Sequence, residues 1–464
     1  MHGQLSRWVR ANPVAAWLLV LVCSALPRLF MTSRTDPANL LVIYSDAATY
    51  VAPAHALIEK HAYVDLHGQP TFHRTPGYPA FLAGLFLLVG PDLRKVLIAQ
   101  AMVLSLGPVL LYWLASRMFP PAVALVGAVL AGLSPWGAVL AGIPISDGLF
   151  VFMLTAMLAM LHLAVSGRGR TAVAAAACVG VLTGLAVLVR PFSPLVVLTP
   201  LALLVCVGHK RSISWALGVV TLVCAVGPPA AWVARNHREA NFDGLTDVTS
   251  QTAWAYLAAR VRADLAGESR YAVSKSAASE ETAWGLPPHS AALDRERWTR
   301  AMTVFREHPF RTVRAFGASA LEHTLHPSPD VLRAARLNFR GDIVVLGTAW
   351  GALLILAAVA LWDLAKLLRR RPATLNERFL VVMVAICSIL TLASGLSFGA
   401  GSRLRAPLEI VVPLLASAAL FRWSSLPPLQ PVLETVRARA HRPLGAWVED
   451  LMSRTATVRR TAIS

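Results

Sequence analysis

The chain has 464 residues, of which 56% are hydrophobic and only 15% charged, with a mean hydropathy of +0.57. A soluble domain carries about 25% charged residues, so this composition excludes an ordinary water-soluble fold and points to a bilayer. The formal net charge of +18 would suggest nucleic acid in a soluble protein, but no basic run here is interleaved with aromatics. The surplus of Lys and Arg suits cytoplasmic loops and tails, and no nucleic-acid partner is expected.

Taken in chain order, apolar runs predict spans at 13–31, 95–116, 121–141, 147–166, 171–189, 192–208, 213–233, 342–364, 378–397 and 405–422. A helix needs about 20 residues to cross the hydrocarbon core, and in lipid each span must satisfy its own backbone groups. The expected fold is therefore an all-α polytopic membrane protein with about ten transmembrane helices. Arg7 and Arg10 precede the first run, which lacks an A-x-A cleavage site and is expected to stay as an uncleaved span. Cys23, Cys178, Cys206, Cys224 and Cys387 all fall inside apolar runs, where they read as small packing residues.

Pro76–Gly90 is apolar but short, and charge decides its fate. If it does not cross, Arg117, the Arg168/Arg170 loop, the Lys210/Arg211 loop, Arg369–Arg371 and the basic tail share the side of Arg7 and Arg10. That arrangement places positive charge inside at every short loop, and a crossing Pro76–Gly90 would reverse it. The segment is thus expected to be a juxtamembrane or re-entrant helix on the outer face. Loop 32–94, turn 142–146, segment 234–341 and turn 398–404 then face outward, with both termini cytoplasmic. The predicted organisation is an N-terminal transmembrane module, 1–233, whose first outer loop carries the catalytic site. An extracytoplasmic loop domain (234–341), C-terminal transmembrane helices (342–422) and a basic cytoplasmic tail (423–464) follow. Within the loop domain, Ala291–Glu307 and Phe310–Leu325 show helical amphipathic spacing, the second suited to lying on the membrane.

Ionisable residues near membrane spans are costly, and several collect on the predicted outer side. Asp46, in Tyr44–Tyr50, reads either as a carboxylate that removes a proton or holds a metal, or as a helix N-cap. Asp147 opens the fourth span and reads as a second outer acid or as another cap. Arg74, Arg190, Arg403 and Arg405 run against the positive-inside bias. Guanidinium suits bidentate phosphate binding, though single arginines also snorkel to lipid phosphates. Arg235 and Asn236 open the long loop and either position it or contact substrate. His55, His61 and His73 lie near Asp46 and are candidates for holding a divalent metal, although their spacing matches no standard zinc pattern. No other cofactor is expected.

The order of these features resembles the GT-C superfamily of polyprenyl-phosphate-sugar glycosyltransferases. The branch it is most similar to is glycosyltransferase family 39, with its protein O-mannosyltransferases and aminoarabinose transferases. The residues that carry the resemblance are Asp46 with Tyr50, Arg74–Pro79, Ser146–Phe150, Arg190-Pro191, Trp232 with Arg235-Asn236, and Arg403–Pro407. Glu409 departs from the family pattern, and segment 234–341 carries no family signature. The resemblance implies a GT-C-type fold with juxtamembrane helices in the first outer loop. It also implies an inverting transfer of sugar from a polyprenyl-phosphate donor to an extracytoplasmic acceptor that is a lipid, glycan or protein. Asp46 would be the base, with Asp147 shaping the acceptor or metal site. Arg74, Arg190, Arg403 and Arg405 would hold the donor phosphate, with Tyr50, His73, Tyr78, Arg235 and Asn236 contacting substrate. Expected partners are the lipid-linked donor, membrane lipid and the acceptor.

Two other classes compete. An O-antigen polymerase or ligase would place its main functional residues in the long loop, at positions such as Arg295. A transporter or flippase would show internal repeats, which this sequence lacks.

Overall fold

A computed structural model describes residues 2–37, 41, 45–207, 211–325, 341–393, 395 and 405–421. All of them lie in the unit 1–424. The predicted basic tail and Arg403 fall outside the described residues. Every predicted span is helical, and the described residues hold one isolated β-bridge, Val64 to Pro70.

In chain order the first helices are α1 (His2–Ala11), α2 (Pro13–Arg34), α3 (Ser45–Glu59), α4 (Gly77–Val89), α5 (Leu93–Met118), α6 (Pro121–Gly132) and α7 (Pro135–Ala141). Next come α8 (Ser146–Ser166), α9 (Gly169–Val189), α10 (Leu195–Val207) and α11 (Arg211–Ala240). The membrane part closes with α17 (Gly341–Arg370), α18 (Leu375–Ala393) and α19 (Leu408–Leu420). Seven helices, α2, α5, α8, α9, α11, α17 and α18, are long and apolar enough to span, so the chain is an integral multi-pass membrane protein.

The other predicted spans are shorter or broken. The 121–141 run bends by 48° between α6 and α7. Ser134 causes a fresh helix start there, because its hydroxyl accepts the Gly137 N–H and Pro135 sits at the first position. The described parts of helices α10 and α19 have 13 residues each, roughly 20 Å, shorter than a core about 30 Å thick. Helix α4 is equally short, at the length predicted for a non-crossing segment.

Small residues let the spans approach. A Cβ on Gly180 would lie 2.4 Å from the Thr221 carbonyl oxygen, and one on Gly184 would lie 2.8 Å from that of Ala225. Helices α9 and α11 therefore meet backbone to backbone along a small-xxx-small stripe.

The described residues after α11 hold further helices: α12 (Val248–Thr252), a π-helical stretch Ala253–Ala258, α13 (Ala259–Ala266), α14 (Arg270–Ala283), α15 (Ala291–Glu307) and α16 (Pro309–Leu325). Trp254, Ala258, Ala277 and Ala301 form their small core, covered by Trp284 and Trp298. Glu322 ties α16 down through Arg270, at 2.6 and 2.7 Å, and Arg260, at 3.1 Å. The opposite face of α16 leaves Phe310, Val313 and Leu321 exposed.

Candidate active site

Asp46 and Tyr50 stand one turn apart on α3, so both present to the same side. Arg74, arriving from the stretch before α4, lies against that side. Its Nη2 donates to Asp46 Oδ1 at 2.6 Å, its Nε donates to Thr49 Oγ1 at 2.9 Å, and its guanidinium sits 4.6 Å from the Tyr50 ring centre. Gly77 makes this approach available. A Cβ there would fall 2.7 Å from the backbone of Leu188 and Val189, so the turn after Arg74 packs directly on the end of α9.

The same end of α9 carries Arg190, held extended before Pro191. Its Nη1 donates to Asp147 Oδ1 in the first turn of α8. Asp147 is almost fully buried, so the arginine compensates a charge that burial would otherwise make costly. The two acid–arginine pairs are joined by the Tyr50 hydroxyl, 3.1 Å from Ser146 Oγ. Tyr78 stands edge-on to Tyr50, with centroids 5.1 Å apart, and its own hydroxyl donates to Gln100 Oε1 at 2.7 Å. Gln100 in turn donates to the carbonyls of Ala141 and Ile143. Tyr78 thereby fixes the turn that precedes Asp147.

Arg405 occupies a neighbouring position. Ala406 beside it packs in one cluster with Ala47, next to Asp46. The Arg405 guanidinium lies 4.2 Å from the Trp350 ring centre, and Nη1 donates to the Thr324 carbonyl at 3.3 Å. Arg405 lines a cavity of about 310 Å³ with Trp136, Trp350, Ser134 and Glu409, and its remaining walls include Leu130, Leu133 and Leu353. One wall is thus polar and aromatic, the other suited to a hydrocarbon chain.

The other predicted residues have different partners. Arg235 donates to the carbonyls of Thr71, at 2.7 Å, and Tyr63, at 3.0 Å. Asn236 is fully buried and donates to the Gly244 carbonyl at 2.9 Å. Together they brace the segment between α3 and α4 and the turn after α11, because backbone carbonyls there have no ladder to satisfy them. Of the two alternatives open for them, these contacts are the positioning one. Among the four arginines expected on phosphate, Arg74 and Arg190 hold the two acids and Arg405 lines the cavity.

The three histidines expected near a metal do not gather. His55 pairs with Glu59 at 3.7 Å, and His61 occupies a left-handed turn position with φ of 50°. His73 instead meets Asp247 and His289 from the long loop. Its Nδ1 is 2.8 Å from Asp247 Oδ1, and His289 Nδ1 is 2.9 Å from Asp247 Oδ2. Burial lowers the His73 pKa, so its ring is neutral and donates. Burial alone would raise the Asp247 carboxyl, but hydrogen bonds from His289 and His73 hold it below the ordinary range. Arg297 Nη1 lies 3.4 Å from the same carboxylate, while its Nε and Nη2 bond Glu281 at 3.0 and 2.7 Å. His289 has φ of 49°, an uncommon conformation for a non-glycine residue. The three potential ligand atoms lie within 4.8 Å of one another, and two imidazoles with a carboxylate suit a zinc-like cation. This cluster was not legible locally, since His73 and Asp247 are 174 residues apart.

Residues 73–232 match the family described as dolichyl-phosphate-mannose-protein mannosyltransferase. No curated protein sequence matches significantly. Among solved structures, an oligosaccharyltransferase from Archaeoglobus fulgidus, tethered to an acceptor peptide, is similar at TM-score 0.51 and 14% identity, covering 90% of this chain and 50% of that one. A second structure of an Archaeoglobus fulgidus oligosaccharyltransferase, in complex with an inhibitory peptide and a dolichol-phosphate, has TM-score 0.49 at 15% identity, over 89% of this chain and 51% of that one. ArnT from Cupriavidus metallidurans, bound to undecaprenyl phosphate, has TM-score 0.37 at 18% identity, over 90% of this chain and 78% of that one. The chain spans about half the length of the oligosaccharyltransferases it resembles. The first of these likenesses shows a shared fold.

Proposed function

Starting from a GT-C-type helical scaffold whose residues 73–232 match a mannosyltransferase family, we propose that this chain is a membrane glycosyltransferase. It moves a sugar from a polyprenyl-phosphate donor to an extracytoplasmic acceptor, with inversion. The observation that carries the reading is the pair of acid–arginine contacts, Asp46–Arg74 and Asp147–Arg190, bridged by Tyr50 and Ser146.

Asp46, whose carboxylate accepts from Arg74, takes the proton of the acceptor hydroxyl. The acceptor oxygen attacks the anomeric carbon on the face opposite the phosphate. The bond from that carbon to the phosphate oxygen breaks, and its electron pair leaves with the polyprenyl phosphate. Arg405 meets the charge that grows on the phosphate, in a cavity whose low dielectric strengthens the contact. The apolar walls of that cavity receive the first prenyl units. Asp147 shapes the acceptor side, where a second cavity of about 370 Å³ opens between Pro191 and the long-loop residues Asp294, Arg295 and Trp298. A divalent cation, where one binds, is held by His73, Asp247 and His289. There it braces the loop domain against the segment that carries Arg74. The positive-inside pattern supports a site on the outer face with both termini in the cytoplasm.

The test is transfer from a radiolabelled polyprenyl-phosphate sugar in membranes. Asp46→Asn is expected to lower transfer at least 100-fold, consistent with loss of a general base. Near wild-type transfer by Asp46→Asn overturns the mechanism. Loss confined to loop variants such as Arg295→Ala supports the polymerase class instead.

A further inference from the structure

The reaction above leaves unused most of the polar groups around the cavity of about 370 Å³. Two short links tie this cavity to the acids. Pro191, on its wall, follows Arg190, whose guanidinium holds Asp147. Thr246, also on its wall, donates its hydroxyl to the His73 carbonyl, and His73 precedes Arg74, which holds Asp46. The side chains of Ser193, Asn241, Thr249 and Arg295 line the cavity and make no hydrogen bond or ion pair among the described residues. Asp294, half-buried beside the Ser250 hydroxyl, adds a carboxylate that belongs to no ion pair of the described residues.

Trp298 lines the same cavity. Its indole packs against the cluster of Trp254, Ala277 and Ala301, and no other ring or guanidinium of the described residues stacks on it. Phe242, the other ring on the lining, is buried and stacked on Phe72, with centroids 4.0 Å apart. The indole is therefore the aromatic surface left to a ligand. A sugar ring has C–H groups on its faces and hydroxyls on its edge. The faces seat on an indole, and the hydroxyls both donate and accept, matching amide, hydroxyl, carboxylate and guanidinium groups. A hydrocarbon chain would strip those polar groups of water without pairing them, which is costly. An extended peptide is gripped by main-chain bonds at a sheet edge, and the described residues hold one isolated bridge.

We infer that this cavity seats a saccharide, so that the acceptor hydroxyl belongs to a sugar rather than to a lipid chain or a peptide. The inference rests on the transfer proposed above and names its acceptor class. The sugar's hydroxyl oxygen bonds the anomeric carbon as the polyprenyl phosphate leaves with its electron pair, and the hydroxyl proton passes to Asp46. The product is a glycoside that joins two sugars. Trp298 and Asp294 orient the acceptor ring, and neither touches the donor phosphate.

The test presents labelled nanodiscs holding the full-length chain to an array of immobilised oligosaccharides. Peptides rich in serine and threonine are printed beside them, and empty nanodiscs give the background. Farnesyl phosphate binding to the same nanodiscs is measured separately. The wild type should bind farnesyl phosphate and a subset of the glycans, and the peptides no better than background. Trp298→Ala should weaken glycan binding about tenfold and Trp298→Phe less, while farnesyl phosphate affinity stays within about twofold. Asp294→Asn keeps the shape of the cavity and should weaken glycan binding about fivefold, which decides the matter even where Trp298→Ala does not fold. A free disaccharide from the bound set and its octyl glycoside, used as competitors, separate a free glycan from a lipid-linked one, and either result supports a saccharide. A wild type that holds farnesyl phosphate but no glycan, or that prefers the peptides, overturns this inference alone. Glycan binding unchanged by Asp294→Asn and by Trp298→Ala does the same. Failure to hold farnesyl phosphate overturns the donor reading, and the acceptor role with it.

Discussion

Asp247→Asn is the substitution that most directly tests how the long loop is fastened. The Asp247 side chain is fully buried and receives His73 at 2.8 Å and His289 at 2.9 Å. Arg297 keeps its two bonds to Glu281 in the variant, so no cation is stranded. Asparagine offers one carbonyl oxygen where the carboxylate offers two, and its NH2 group then confronts an imidazole N–H. Hydrogen bonds to a charged group are worth roughly 1.5–3 kcal/mol each, so losing one and weakening the other costs about 3 kcal/mol. That corresponds to about a 100-fold change in the opening equilibrium. The cost is local, because Asp247 joins only residues near 73, 289 and 297. Hydrogen exchange on the full chain in nanodiscs, with chelator present, should show protection near residues 71–75 falling by about that factor. Amides of α9 and α11 should be unaffected. Unchanged protection at 71–75 would refute the assignment of Asp247 as the fastening point.

Three further outcomes follow from other contacts. Zinc should raise the thermal midpoint of the wild type, and His289→Ala should weaken that response at least tenfold in zinc concentration; equal titration curves would remove the cation from this cluster. Gly77→Ala places a methyl carbon 2.7 Å from the backbone at Leu188 and Val189, shifting Arg74, and transfer should fall by about 100-fold with helix content retained. Burial pushes the Glu322 carboxyl up, but hydrogen bonds from Arg270 outweigh it and hold its pKa below the ordinary value. Its stabilising effect is therefore present above about pH 4.5 and lost as pH falls through the depressed value, so protease cleavage near α16 should rise in acid and be pH-independent in Glu322→Gln.

Much of the scaffold was legible because long apolar runs have one physical solution in lipid. The helices of the loop domain were legible too, since Ala291–Glu307 forms over the residues its amphipathic spacing predicts. Span length was less legible. Composition does not reveal that Ser134 and Pro135 restart a helix inside the 121–141 run. The acids and arginines were found by their misplaced charge, but their pairing was hidden. Asp46 and Arg74 are 28 positions apart, Asp147 and Arg190 are 43 apart, and packing alone decides which charge meets which. For Arg235 and Asn236 the sequence left two roles open, because a donor near a site looks the same whether its acceptor is a substrate or a carbonyl. Glu409 stood out only as an unexpected acid, and its partner Ser134 lies 275 positions away.

The contact between Gly180, Gly184 and the backbone of α11 has a bearing on motion. Two helices that touch without intervening side chains have little freedom to slide, so α9 and α11 move as one rigid plate. Arg190 follows the end of α9, and Trp232 of α11 packs in one cluster with Leu188 at that same end. The helices from α12 onward follow α11 through the short connection at 241–247. There Asn241 already holds a left-handed conformation with φ of 51°, and the Trp232 indole is tied to the Leu245 carbonyl at 2.9 Å. The connection is therefore pinned along its length, to Asn236 and Trp232 through Gly244 and Leu245 and to His73 and His289 through Asp247.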